Sequence, residues 1–96
     1  MILGILRIEL DIDYAQSLKD KRSVLNRIKD RMKNKFNVSI AEVGSNEIWN
    51  YADIAIAHVS NDQRFSNQVL DKVIDHIEKI KDCEIADYSM DFQRMD

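Results

Sequence analysis

Three cations crowd the start of one segment. In SLKDKRSVL, Ser17 to Leu25, the residues Lys19, Lys21 and Arg22 fall where a helix begins. The backbone N–H groups of a first turn already carry partial positive charge, so each added cation costs roughly 0.3–1 kcal/mol at low salt. Free amides and lysine or arginine side chains together suit a phosphate. At 100° per residue the later cations fall on two flanks, Arg22, Lys29 and Lys33 on one and Arg27, Arg31 and Lys35 on the other. Two such rails fit a phosphate backbone, and they equally fit a solvated helix. Asp11, Asp13 and Asp20 are close enough in sequence to neutralise the first turn. Lys21, four residues before Leu25, lies on the apolar stripe and could lay its stem over a core. The candidate anion-binding residues are Lys19, Lys21, Arg22, Lys29 and Lys33.

Other chemistries find less. His58 and His76 are eighteen residues apart, and Cys83 is the single cysteine, so neither a metal-ligand set nor a disulfide is suggested. No metal and no cofactor are expected. His58 reads as a satisfied buried or interface group, His76 as the edge of a helix stripe, and Cys83 as a small apolar filler. Asp11 and Asp13 form an Asp-x-Asp that reads as a solvated strand end rather than a metal or acid site. Two glycines cannot build a phosphate loop, and no serine has the glycine-flanked setting of a nucleophile elbow. No catalytic residue is identified, and the reading leans away from an enzyme.

The elements that must carry these residues follow from periodicity. Ile2, Gly4, Leu6, Ile8, Leu10 and Ile12 alternate with Leu3, Ile5, Arg7, Glu9 and Asp11, which predicts a strand. Ser17 followed by Asp20 resembles a capping box. Leu18, Leu25, Ile28, Met32 and Phe36 then recur at helical spacing, predicting a helix over residues 18–35. FNVSIAEV predicts a second strand through Val38, Ile40 and Val43, and GSNE a turn at Gly44. A third strand spans Asp53 to Ser60. Asn61 or Asp62 caps a second helix with the stripe Phe65, Val69, Val73, Ile77 and Ile80. A last strand carries Ala86, Tyr88, Met90 and Phe92. The order β-α-β-β-α-β, with right-handed crossovers, predicts one α+β ferredoxin-like domain over residues 1–96. It is a four-stranded antiparallel sheet of order 4-1-3-2 with both helices on one face.

The opposite sheet face is then open. Leu3 and Ile5 on the first strand point to it, joined by either Ile54 and Ile56 or Ala55, Ala57 and Val59 on the third. An apolar patch of this kind suits an interface, and Leu3 and Ile5 are candidate homodimer contacts.

Charge and composition set the wider limits. A net charge of −3 argues against indiscriminate nucleic-acid binding, yet residues 17–36 hold eight basic and two acidic side chains, a net of +6 that leaves −9 for the rest. This asymmetry suggests one polyanion-facing side on an acidic body. The second helix, with Asp71, Asp75 and Glu78 beside Lys72 and Lys79, is expected to repel nucleic acid. The opening MILGIL lacks a basic leader and a cleavage site, and no stretch reaches a membrane-spanning length. A cytoplasmic protein without a membrane partner is expected. The glycine-containing loop and arginine of acylphosphatases are missing after the first strand. No aromatic pair in the third strand matches Tyr88 and Phe92 as in an RNA-recognition motif.

AQSLKDKRSVL, FNVSIAEVG and IWNYADIAIAHVSND, in that order, resemble the YlxP-like family, domain of unknown function 503. The resemblance runs from the first strand through the second helix, and GSNE departs from the acidic continuation expected there. It implies a small bacterial cytoplasmic protein of ferredoxin-like fold. It also implies a gene neighbourhood of transcription elongation, translation initiation and ribosome maturation, which favours an accessory role on ribosomal or other structured RNA. No catalytic residues come with it. Two functions from different classes are therefore in play: a noncatalytic protein that binds RNA phosphates through its first helix, and a homo-oligomeric interaction module that uses the open sheet face.

Overall fold

A computed structural model describes every residue from Met1 to Asp96. The elements are β1 (Ile2–Asp11), α1 (Leu18–Lys35), β2 (Ser39–Gly44), β3 (Tyr51–Ser60), α2 (Gln63–Glu78) and β4 (Glu84–Arg94). The sheet is antiparallel throughout and ordered β2-β3-β1-β4. This is the predicted ferredoxin-like sandwich, its sheet order read from the other edge.

β1 lies at the centre because it can be buried on one whole face. Ile2, Leu6, Ile8, Leu10 and Ile12 are fully buried. Leu6, Ile8, Leu10 and Ile12 form one core with Val24, Leu25, Ile28 and Met32 of α1 and with Leu70, Val73, Ile74 and Ile77 of α2. On β3 the same face is taken by Ile54 and Ile56, so Ala55, Ala57 and Val59 are the residues turned to the open side.

Both helix starts are capped. Ser17 accepts from the Asp20 amide at 3.1 Å, and the Asp20 carboxylate accepts from the Gln16 amide at 3.0 Å. The reciprocal arm thus lands one residue earlier than in a standard capping box. Asp62, rather than Asn61, caps α2 by accepting from the Arg64 amide.

Three expectations shift. The α2 stripe runs through Ser66, Leu70, Val73 and Ile77, leaving Phe65 exposed and Val69 half-buried. The hidden member is Ser66, whose hydroxyl meets His58 Nδ1 at 2.9 Å and the Ser60 hydroxyl at 2.6 Å. On β2 Val43 lies on the face opposite the buried Ile40 and is exposed, at the place where a bulge between Glu42 and Gly44 interrupts the pairing with β3. On β4 a register shift seats Ile85 opposite Leu10 and leaves Ala86 out of the pairing and exposed. Tyr88 keeps its place opposite Ile8, in step with Met90 and Phe92, but is half exposed at the sheet edge. Gly44 is not the turn's left-handed residue, because Ser45 takes that conformation with φ 57°. At 44 a Cβ would lie 3.0 Å from the Asp53 carboxylate, so any larger residue must push that side chain aside.

His58 is buried and uncharged in its role. Burial lowers its pKa below the ordinary 6.5, so the unfolded chain takes up the proton more readily than the folded one. Its contribution to stability is complete above about pH 6.5 and is lost as the pH falls from there through the folded value. The urea midpoint should therefore drop between about pH 7.5 and pH 5. His58→Asn, which can keep a polar atom near Ser66 and does not titrate, should remove most of that difference.

Candidate nucleic-acid interface

The five candidate anion-binding residues do not share one environment. Lys21 is a correction. It is 1 % exposed, and its ammonium donates to the carbonyls of Ser45 and Ile48 at 2.7 Å each. It also lies 2.7 Å from Glu42 Oε2. That oxygen is buried and makes no hydrogen bond of ordinary angle, so the ammonium is its counter-charge. Lys21 faces inward because it occupies the apolar stripe. Its charge is spent on the β2–β3 connection, with nothing left for a ligand.

The other four are available. Lys19, Arg22 and Lys33 are exposed and Lys29 is half-buried on the outer flank, and none of them makes a salt bridge. Asp20, the nearest acid, is engaged with the Gln16 amide.

The opposite flank of α1 packs toward α2, which runs antiparallel to it. Arg27 is bound to the Asp82 carboxylate, and the Phe36 and His76 rings meet edge-on with centroids 5.3 Å apart. Between these two contacts lies a groove of about 350 Å³ lined by Arg31, Asn34, Lys35, His76 and Lys79, with Met32 and Ile80 at its apolar floor. It continues into a hollow of about 280 Å³ where Arg31 and Lys79 are joined by Lys81. The only carboxylate along both is Asp82, already paired with Arg27. The expectation that α2 repels nucleic acid fits most of its outer face, which carries Asp71, Asp75 and Glu78. Its C-terminal end instead extends the basic surface. Sequence reasoning misses this because it depends on which α1 flank packs against which end of α2. The available signal is the proximity of Lys79 and Lys81 to the helix end.

The largest surface hollow, about 510 Å³, lies along β4 and is lined by Glu78, Glu84 and Asp87 among others. Its charge is wrong for phosphate. Asp11, Asp13, Asp82 and Glu84 border a shallower cleft with Lys81, and nowhere do three His, Cys, Asp or Glu side chains converge on a metal-sized point. Ser66 is fully buried beside His58, so the hydroxyl–imidazole contact stabilises the α2 start and has no access to a substrate. Burial raises the pKa of the Cys83 thiol, which suppresses the thiolate and fits the expected filler role.

On the open sheet face Leu3 and Ile5 stand opposite Val59 and Ala57. All four are at least partly exposed. Further along, Arg7 forks onto Asp53 with contacts of 3.0 and 2.6 Å, and Glu9, Asp11 and Tyr51 follow. The face is apolar at one end and polar at the other.

A ferredoxin-like sandwich with a cationic helix layer and an open, partly apolar sheet is thus the class that the fold and surface define. The chain belongs to the DUF503 family of proteins of unknown function, whose family model matches residues 3–90. It is 39% identical over 83 residues to the uncharacterized protein YlxP of Bacillus subtilis (strain 168), a match covering 86% of this chain and 90% of that protein. Among solved structures it is similar to the de novo designed protein Foldit4, with a TM-score of 0.55 and 14% identity over 98% of this chain and 99% of that one. That likeness concerns the fold alone. No helix is long and apolar enough to cross a membrane.

Proposed function

We propose that this is a noncatalytic cytoplasmic protein that docks on the phosphate backbone of structured RNA, ribosomal RNA foremost, through its helix layer. The observation that carries this reading is the set of six α1 cations, Lys19, Arg22, Lys29, Arg31, Lys33 and Lys35, that reach solvent without a carboxylate partner in a chain of net charge −3. Mutual repulsion among unpaired cations disfavours the fold, and a polyanion relieves it. Lys79 and Lys81 continue the surface across the groove. The gene neighbourhood implied by the family resemblance points the same way. Contacts of this kind set position and orientation and do not read bases.

Tagged protein sedimented from lysate across a salt series tests the reading. Co-sedimentation with ribosomes or RNA at low salt, lost steeply as salt rises, is expected. Binding that ignores salt, or no binding at low salt, removes it.

The second reading is a homodimer through the open sheet face, favoured by Val59 standing 58% exposed beside Leu3 and Ile5. A sedimentation-velocity boundary at the monomer mass of 11.2 kDa, at micromolar concentration and above, would eliminate it.

A further inference from the structure

The β2–β3 connection presents a tryptophan to solvent. Trp49 is 52% exposed, and Ile48 before it is 48% exposed. A large aromatic ring gains most from burial, so one held in water at a loop tip invites a partner.

This tip is fastened on both sides of the ring. The carbonyl of Ile48 is held by the Lys21 ammonium at 2.7 Å, and the Ile48 amide donates to the Ser45 carbonyl at 3.1 Å. On the other side the Ile12 amide donates to the Asn50 carbonyl at 2.9 Å. The anchor on Lys21 comes from the first turn of α1, so the tip is seated against that turn. The other two cations there, Lys19 and Arg22, are exposed and without a salt bridge. The only carboxylate in the connection itself is Glu47, which is exposed.

We infer that Trp49 is a stacking platform for an unpaired nucleobase, with Lys19 and Arg22 positioned for the flanking phosphates. The RNA bound is then one that offers a single-stranded loop or end beside its helical part. This inference rests on the RNA reading above and narrows it. Every base has a π-face, so stacking on one aromatic ring tolerates any sequence. A platform already fixed by Lys21 and Ile12 loses little freedom when the base arrives, which favours affinity. A nucleotide brings its own phosphates to Lys19 and Arg22, past the exposed Glu47 and Asp13, and an apolar protein segment does not.

Trp49 is the single tryptophan of the chain, so intrinsic emission has one source. The unmodified protein is titrated at low salt with a short oligouridylate and with a fully paired RNA duplex of equal phosphate count, each carrying a fluorescein whose anisotropy reports binding independently. The oligouridylate should quench Trp49 emission and the duplex should bind without quenching. Trp49→Ala should weaken oligouridylate binding about tenfold and leave duplex binding unchanged, and Trp49→Phe should restore most of the loss. If both RNAs bind with strong salt dependence while emission and the Trp49→Ala affinity stay unchanged, stacking is wrong and the phosphate reading stands. If neither RNA binds, both fall.

Discussion

Lys21→Met should lower the unfolding free energy by about 3 kcal/mol, a large part of the roughly 5–15 kcal/mol that holds a domain of this size together. The substitution keeps the apolar stem and removes a buried ammonium with three partners at 2.7 Å. Breaking one side of a buried ion pair typically costs about 3–5 kcal/mol, because the remaining charge is left without compensation. The lower end applies here. The Glu42 side chain is 18% exposed and can turn partly to water, and the Ser45 and Ile48 carbonyls sit in a surface connection where water can replace the missing donor. Lys21→Met with Glu42→Leu should recover most of the loss, since an apolar pair carries no stranded charge. Urea denaturation of the two single variants and the double variant measures the coupling, with an unchanged m-value showing that the unfolded state is not the cause. The steady-state anisotropy of Trp49 emission should fall in Lys21→Met even under native conditions, because one of the two ties on that tip is gone. A loss below about 1 kcal/mol would mean that the ammonium is a passenger in a core that does not depend on it.

Lys21 also shows where sequence reading reaches its end. Its place on the apolar stripe, four residues before Leu25, is legible and correctly suggests contact with the core. Its destination is not, because the two carbonyls it binds lie 24 and 27 residues away across a chain reversal. The β1 alternation and the α1 boundaries, by contrast, follow from local period and capping and match the structure closely. The α2 stripe reads around Phe65 because an aromatic outweighs a serine on any hydropathy scale. Ser66 is buried instead because His58 and Ser60 on β3 satisfy its hydroxyl, a compensation that no single-segment pattern reveals. Ala86 is displaced by a bulge, which adds a residue to β4 and inverts the alternation beyond it, whereas Val43 faces solvent because it is out of step with the buried Ile40. The outer cationic rail of α1 is visible from spacing alone, whereas the groove of Arg31, Lys35 and Lys79 exists only once the helices pack.

That groove is where neutralisation should cost most in binding. Arg31→Gln, Lys35→Gln and Lys79→Gln together should reduce RNA affinity about 100-fold near 0.1 M salt and make the log–log salt slope shallower by about 3, one for each phosphate left without its cation. Arg22→Gln, Lys29→Gln and Lys33→Gln together should shift the slope by less. The inner cations converge on a concavity bounded by Met32 and Ile80, where field lines concentrate, while the outer rail faces open solvent. If all six contribute, the unmodified protein should lose about 1,000-fold in affinity between 50 and 200 mM salt. Stability distinguishes a binding role from a structural one. None of the six has an internal carboxylate partner, so removing their mutual repulsion should leave the urea midpoint unchanged or raise it. A cation that held the fold would do the reverse. A groove variant that melts early, or that binds RNA with an unaltered slope, would show that these charges serve the protein itself.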